Sequence, residues 1–270
     1  MKDIIENRSR IGLSAKLKLA GLTVRENGLL WSVLMGAYYA SSGVAEASFH
    51  KAAALRTKHN LPGMNSKSAN KLIWDHWDWN ALGDEWTPSP EWKASVVRTF
   101  MDPLFTKRSV ILEIGPGAGR WTEYLLDRCD RLIGIDISET CVRECEHRFQ
   151  NRPHASFAVG NGEDLPTIES GSIDGVWSFD VFVHINKAQF NSYVAEFARV
   201  LKPGGVGLLH HGSSGGTLGG WRSDVTTSDV SAFLRSHGLL LERQVQDWED
   251  DGQTFEAGLY QDTITCFRKA

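Results

Sequence analysis

The chain holds 270 residues, 41% of them hydrophobic and 23% charged, which allows one sizeable core with an extension beside it. A formal net charge of −4 excludes a global positive field that would gather nucleic acid. The four cysteines, Cys129, Cys141, Cys145 and Cys266, form no CxxC pair, which argues against a metal or dithiol centre and for reduced, buried thiols in a cytoplasmic protein.

The N-terminus does not read as a cleaved signal peptide, because the apolar stretch begins only near Leu29 and no short charged leader directly precedes it. Residues 28–45 are largely apolar, but Ser32, Gly36, Ser41, Ser42 and Gly43 interrupt them and Glu46 ends them. That pattern predicts a buried or interfacial helix rather than a membrane span. Upstream, Lys16 and Lys18 alternate with Leu13, Leu17 and Leu19. The N-terminal helices are therefore expected to pack on the catalytic domain, to form a homodimer contact or to touch a membrane surface peripherally.

Residues 51–60 read as an exposed polar helix, and Leu61-Pro62-Gly63 breaks the chain. Five of the ten tryptophans then fall between Trp74 and Trp92 at irregular spacings, which excludes a regular amphipathic helix. The segment reads as a lid whose rings pack on a sheet edge and shape an acceptor pocket; stacking on a sugar is the sharper alternative. Trp79 is its expected substrate contact, and Asp75, His76 and Asp78 would add polar ones. Pro88 and Pro90 close the segment, and a helix is predicted from Glu91 to about Phe105. The expected division is a helical, Trp-rich extension over 1–90 and a catalytic domain over 91–270.

Val110-Ile111-Leu112 opens a different pattern: a short apolar strand, a glycine turn over 115–119, and a helix predicted from Arg120 to Asp127. Residues 132–135, 155–159, 173–178 and 206–209 read as further strands, with helices capped by Ser138 and stopped by Lys202-Pro203-Gly204-Gly205 between them. A helix over 229–236 and two closing strands, 239–245 and 259–267, complete the chain. Strands alternating with helices predict an α/β, Rossmann-like sheet of seven strands, mostly parallel, with an antiparallel C-terminal hairpin.

The turn Glu113-Ile114-Gly115-Pro116-Gly117-Ala118-Gly119 lets a ligand approach the backbone closely. Its GxGxG spacing differs from the GxGxxG of dinucleotide folds, and Glu113 would repel a diphosphate but suit a cationic ligand. Asp136 ends the second strand and can accept from ribose hydroxyls. Together these residues resemble the core of class I S-adenosylmethionine-dependent methyltransferases. Residues 160–166 are similar to the adenine-binding loop of that family, 173–178 to its fourth strand, and 199–205 to its post-helix turn. The resemblance implies that Glu113, Gly115, Gly117, Gly119, Asp136, Ile137, Asn161, Gly162, Glu163 and Ser178 hold S-adenosylmethionine. Asn161 stands where many relatives carry Asp; its side-chain carbonyl still accepts from an adenine amino group.

Methyl transfer to a hydroxyl or ammonium needs an aligned nucleophile and a proton acceptor. Residues 180–185 follow the fourth strand, where the resemblance places substrate-facing groups, and His184 is the first candidate base. His210 and His211 end the fifth strand; neighbours on a strand point to opposite faces, so one of the two is expected to face the pocket. Asp180, Trp221 and Arg222 are further substrate-contact candidates. No metal ligand set is evident. Segments 74–86, 178–185 and 220–226 are similar to a bacterial methyltransferase group of glycan or natural-product tailoring. The expected activity is O-methylation of a sugar or glycosylated small molecule. N-methylation of an amino sugar, a nicotinamide dehydrogenase and a non-catalytic or membrane-associated scaffold are the alternatives.

Overall fold

The computed structural model describes residues 13–59, 61–105, 109–216, 222–258 and 260–270. The chain divides into two compact units, Met1–Asn60 and Leu61–Ala270. The first carries helices α1 (Leu13–Asn27) and α2 (Leu29–His59), joined at Gly28, whose φ of 82° ends one helix and lets the next begin. The polar stretch at 51–59 is the last part of α2 rather than a separate helix.

The second unit opens with α3 (Lys67–Asp75), capped by the Ser66 hydroxyl accepting from the Ala69 N–H. Two 3₁₀ turns, Trp79–Ala81 and Asp84–Trp86, carry the chain across the tryptophan-rich segment. Helix α4 (Pro90–Val96) runs into a π turn, Val97–Met101, and a last turn, Asp102–Leu104, within the single helix predicted there. Strand β1 (Val110–Ile114) leads through the glycine turn to the short α5 (Thr122–Leu126), which starts later than predicted because Gly117 and Gly119 hold positive φ. There follow β2 (Arg131–Asp136), α6 (Glu139–Arg148), β3 (Ala155–Val159), β4 (Ile173–Phe182), α7 (Lys187–Val200), β5 (Leu201–His211) and α8 (Thr227–Ser236). The chain ends through β6 (Leu239–Val245), a small hairpin β7 (Asp247–Asp250) and β8 (Gln253–Glu256), and β9 (Thr263–Lys269). That hairpin has no apolar alternation to betray it; Trp248 and Phe255 pair across it and Trp248 buries against Phe100.

The seven-stranded sheet has the order β3-β2-β1-β4-β5-β9-β6. All neighbours are parallel up to β5, and β9 lies antiparallel between β5 and β6. The C-terminal pair expected at the edge is present, with the last strand on its inner side. Successive residues of each central strand feed opposite faces: Ile111, Trp177, Leu208 and Cys266 join one core cluster, Leu112, Val176, Leu209 and Phe267 the other. Strand order reverses between β1 and β4, so the carboxyl ends of β1, β2 and β4 flank a natural crevice.

Candidate active site

A cleft enclosing about 910 Å³, its mouth included, opens over those strand ends. On one side the backbone of Gly115, Pro116, Gly117 and Ala118 meets Asp136, Ile137, Cys141 and Gly162. Gly115 (φ 69°) has no room for a side chain: a Cβ would come within 2.3 Å of a Val181 methyl. Asp136 is buried, accepting from the Gly117 N–H (3.1 Å) and the Ser138 N–H (2.9 Å). Burial pushes its carboxyl up to about 6, against the pull of those two donors.

The ten predicted cofactor residues fall into three groups. Gly115, Gly117, Asp136, Ile137 and Gly162 line the cleft. Glu113, Gly119 and Ser178 stand behind it. Glu113 is enclosed beneath the turn, where the Thr122 hydroxyl donates to it at 2.7 Å; Ser178 donates to the Ile114 carbonyl at 2.8 Å; Gly119 gives the Phe149 ring its place. Asn161 and Glu163 are engaged locally. The Asn161 side-chain oxygen accepts from the Glu163 and Asp164 N–H groups, an Asx turn that occupies the acceptor expected to face adenine, while Glu163 pairs with Lys67 at 2.9 Å.

Glu113 lies in this position because β1 is central and covered on both faces, so its side chain is buried before it can reach the cleft. Burial pushes its carboxyl up to about 8, making it a neutral acid at pH 7. Its raised pKa stabilises the fold fully below the ordinary 4.5, and that contribution is lost as pH rises through about 8. Glu113→Gln is therefore expected to remove a slope of up to about 1.4 kcal/mol per pH unit. Melting curves of both proteins across this range check it; parallel curves would refute the buried, neutral acid.

Much of the cleft lining is aromatic. Trp74, Trp79, Trp86 and Trp121 line the cleft with Phe179, Leu82 and Tyr193. Trp74 lies 5.9 Å from Trp79 and 6.0 Å from Trp86, centroid to centroid, and 5.4 Å from His184. Trp79 reaches over the glycine turn, 3.1 Å from where a Gly117 Cβ would sit. Polar anchors hold this segment: Asn70 donates to the His184 carbonyl (2.9 Å), Asp75 accepts from the Ser138 hydroxyl (2.7 Å), and the Gly83 carbonyl accepts from Arg120 (3.1 Å).

At the floor is Asp180, in a register shift of β4 between Ser178 and Phe182, at φ 62°. The irregularity turns its carboxylate into the cleft with 31% of the side chain exposed. Arg120 Nη2 lies 2.7 Å from Oδ2, and His210 Nδ1 lies 3.0 Å from Oδ1. Burial would raise this carboxyl, but the Arg120 guanidinium beside it outweighs burial and holds it well below the usual carboxylate range. His210 itself is buried and stacked on Phe179 at 4.3 Å. Its Nδ1 also faces the Asp180 N–H at 3.1 Å, and its Nε2 points toward Asp262, 3.9 Å away.

Of the three candidate histidines, then, His184 lines the cleft and His210 backs Asp180, while His211 points to the other face. His211 is buried between the Gly212 carbonyl and the Thr265 hydroxyl, both at 2.7 Å, and burial pushes its imidazole down to about 4, so it is a neutral structural group. Arg222 is committed to Asp262, over the Tyr260 ring, rather than to the cleft. Trp221 lies outside the described residues. Sequence reasoning missed Arg120 and Asn70. Arg120 directly follows the glycine motif, which was a signal; Asn70 had none.

The sheet order, the glycine turn after β1 and the acid closing β2 together define the class I, S-adenosylmethionine-dependent methyltransferase fold. Residues 111–205 match the family model of the methyltransferase domain. A Mycolicibacterium smegmatis protein described as a "probable S-adenosylmethionine-dependent methyltransferase" is 37% identical over 100 residues, 37% of this chain and 36% of that one. The phthiotriol/phenolphthiotriol dimycocerosates methyltransferase 1 of Mycobacterium ulcerans is 27% identical over 126 residues, 44% of each chain. These matches thus span less than half the length of those relatives. The geranyl diphosphate C-methyltransferase of Streptomyces coelicolor, solved with Mg2+, geranyl diphosphate and S-adenosylhomocysteine, superposes with a TM-score of 0.56. It is 14% identical, over 76% of this chain and 97% of that one, a likeness of fold.

The cleft fits the cofactor chemically. An acceptor-only carboxylate, Asp136, suits vicinal ribose hydroxyls, the apolar faces of Ile137 and Cys141 suit a purine, and the tryptophan rings beside the glycine turn suit a sulfonium cation.

Proposed function

We propose that this protein is an O-methyltransferase acting on a hydroxyl of a sugar or glycosylated small molecule. The observation that carries the reading is the cleft's lining, where Trp74, Trp79, Trp86 and Trp121 stand together with the carboxylate of Asp180. Indole faces suit the C–H surfaces of a sugar ring, and Asp180 suits one of its hydroxyls. Bound S-adenosylmethionine supplies an electrophilic methyl group. Asp136, Gly115, Gly117, Ile137 and Gly162 hold the cofactor, with Glu113, Gly119 and Ser178 bracing the turn from behind.

In this reading Asp180 aligns the acceptor hydroxyl and His210 takes up its proton through Asp180. Nδ1 accepts from the Asp180 N–H in the resting state and, once protonated, donates to Asp180 Oδ1. The resulting imidazolium lies between two carboxylates, Asp180 and Asp262. His184 orients the acceptor beside Trp74. Segment 63–86 acts as a lid that excludes water from the transfer. A second reading, N-methylation of an amine, draws on the same box, since aromatic faces beside a carboxylate also suit an ammonium.

Calorimetric titration with S-adenosylhomocysteine is expected to show micromolar binding. Transfer of labelled methyl to a panel of glycosides and amino sugars, with the methyl located by NMR, then separates the two readings. Absence of binding by folded protein would sink both, and label found only on nitrogen would replace the first with the second.

A further inference from the structure

We propose that the unit formed by α1 and α2 docks this protein on the surface of an anionic lipid bilayer. The proposal stands independently of the acceptor. Residues 28–45 carry no charge, yet their apolar side chains are not hidden. Leu29 (68%), Leu30 (75%), Trp31 (46%), Val33 (57%) and Leu34 (61%) are exposed. Consecutive helical residues point about 100° apart, so this surface is apolar around much of the helix rather than along one stripe. Water is an unfavourable solvent for such a surface, and contiguous exposed apolar area marks an interaction site.

The occupant follows from charge and shape. Residues 1–60 hold nine Lys or Arg against four Asp or Glu, whereas the remaining residues hold 20 against 29. Within α1 and α2, Lys16, Lys18 and Arg25 precede the apolar run and Lys51, Arg56 and Lys58 follow it, with single acids, Glu26 and Glu46, at its two ends. A second copy of this chain would bring one basic unit against another, and a helix–helix seam needs a single apolar stripe. An anionic headgroup layer complements the cations, and acyl chains accept apolar side chains from any direction. Trp31 and Tyr38 are the residue types that settle at that boundary. No described helix is long and apolar enough to cross a membrane, so the expected geometry is shallow insertion in the interface.

Flotation of the full chain with vesicles tests this. Vesicles of phosphatidylcholine mixed with phosphatidylglycerol are expected to carry the protein, and phosphatidylcholine alone at least about ten-fold less. High salt should weaken the difference. The double variant Leu30→Glu/Leu34→Glu, at exposed positions of the first unit, is expected to lose flotation by about ten-fold or more while its circular dichroism and S-adenosylhomocysteine binding stay unchanged. Equal flotation with both vesicles, or none, overturns the proposal. So does a sedimentation-velocity dimer that the double variant abolishes without any vesicle binding.

Discussion

Asp180→Asn is expected to lower turnover by about 10²–10⁴-fold while S-adenosylhomocysteine affinity stays within about three-fold. Asparagine is the informative replacement because Asp180 sits at φ 62°, a conformation that Asn tolerates better than other residues without a charge. The amide keeps shape and one acceptor but cannot pass a proton to His210. It also leaves the Arg120 guanidinium buried without its counter-charge, so a drop in melting temperature accompanies the loss, of the size seen when one partner of a buried pair is removed, about 3–5 kcal/mol. Turnover must therefore be measured well below the variant's melting point, beside His210→Asn. If Asp180 and His210 work as one device, both variants flatten the same limb of the pH–rate profile, and the double variant is little worse than either. Full turnover by Asp180→Asn would remove the pair from the chemistry and leave His184 as the candidate base.

Asp136→Ala is expected to weaken S-adenosylhomocysteine binding by about 100-fold or more. Two hydrogen bonds from ribose to an ionised acceptor contribute about 1.5–3 kcal/mol each, and the variant also frees the Gly117 and Ser138 N–H groups that Asp136 holds in place. Because burial pushes this carboxyl up to about 6, the ionised acceptor is present above that value and lost as pH falls through it. Affinity of the unaltered protein should fall in step below about pH 6, and Asp136→Asn should bind weakly without that dependence. Calorimetry at several pH values separates the cases; wild-type affinity in Asp136→Ala would place the ribose elsewhere.

Local chemistry made the frame of the site legible. Gly115 and Gly117 hold positive φ and Asp136 ends a strand beside them, so the spacing placed the turn and the acid, and the resemblance supplied their expected ligand. What sequence could not supply was depth. Glu113 is two residues from Gly115, yet a central strand buries it, and its side chain does not line the cleft. Alternation along β5 was sound in form, but only the neighbours decide the roles. His210 finds Asp180, and His211 finds Thr265 on the last strand. The Arg120–Asp180 pair joins positions sixty residues apart through a strand irregularity that leaves no mark in composition. Asn161 looked like an adenine acceptor because its carbonyl is of the right kind; its short side chain satisfies its own loop first.

The interior placement of β9 bears on the order in which this molecule can assemble. Among the described residues β6 pairs only with β9, and β5 meets β9 along its other edge. During synthesis β5 and β6 emerge first and wait, each with a row of unsatisfied backbone groups, until residues 263–269 leave the ribosome and slot between them. The nascent chain is thus most exposed to sticky edge-to-edge pairing in the interval before β9 emerges. Exposed Leu240 and Leu241 on β6 add to that hazard, and the neighbouring Glu242 and Arg243 place charges on the waiting edge.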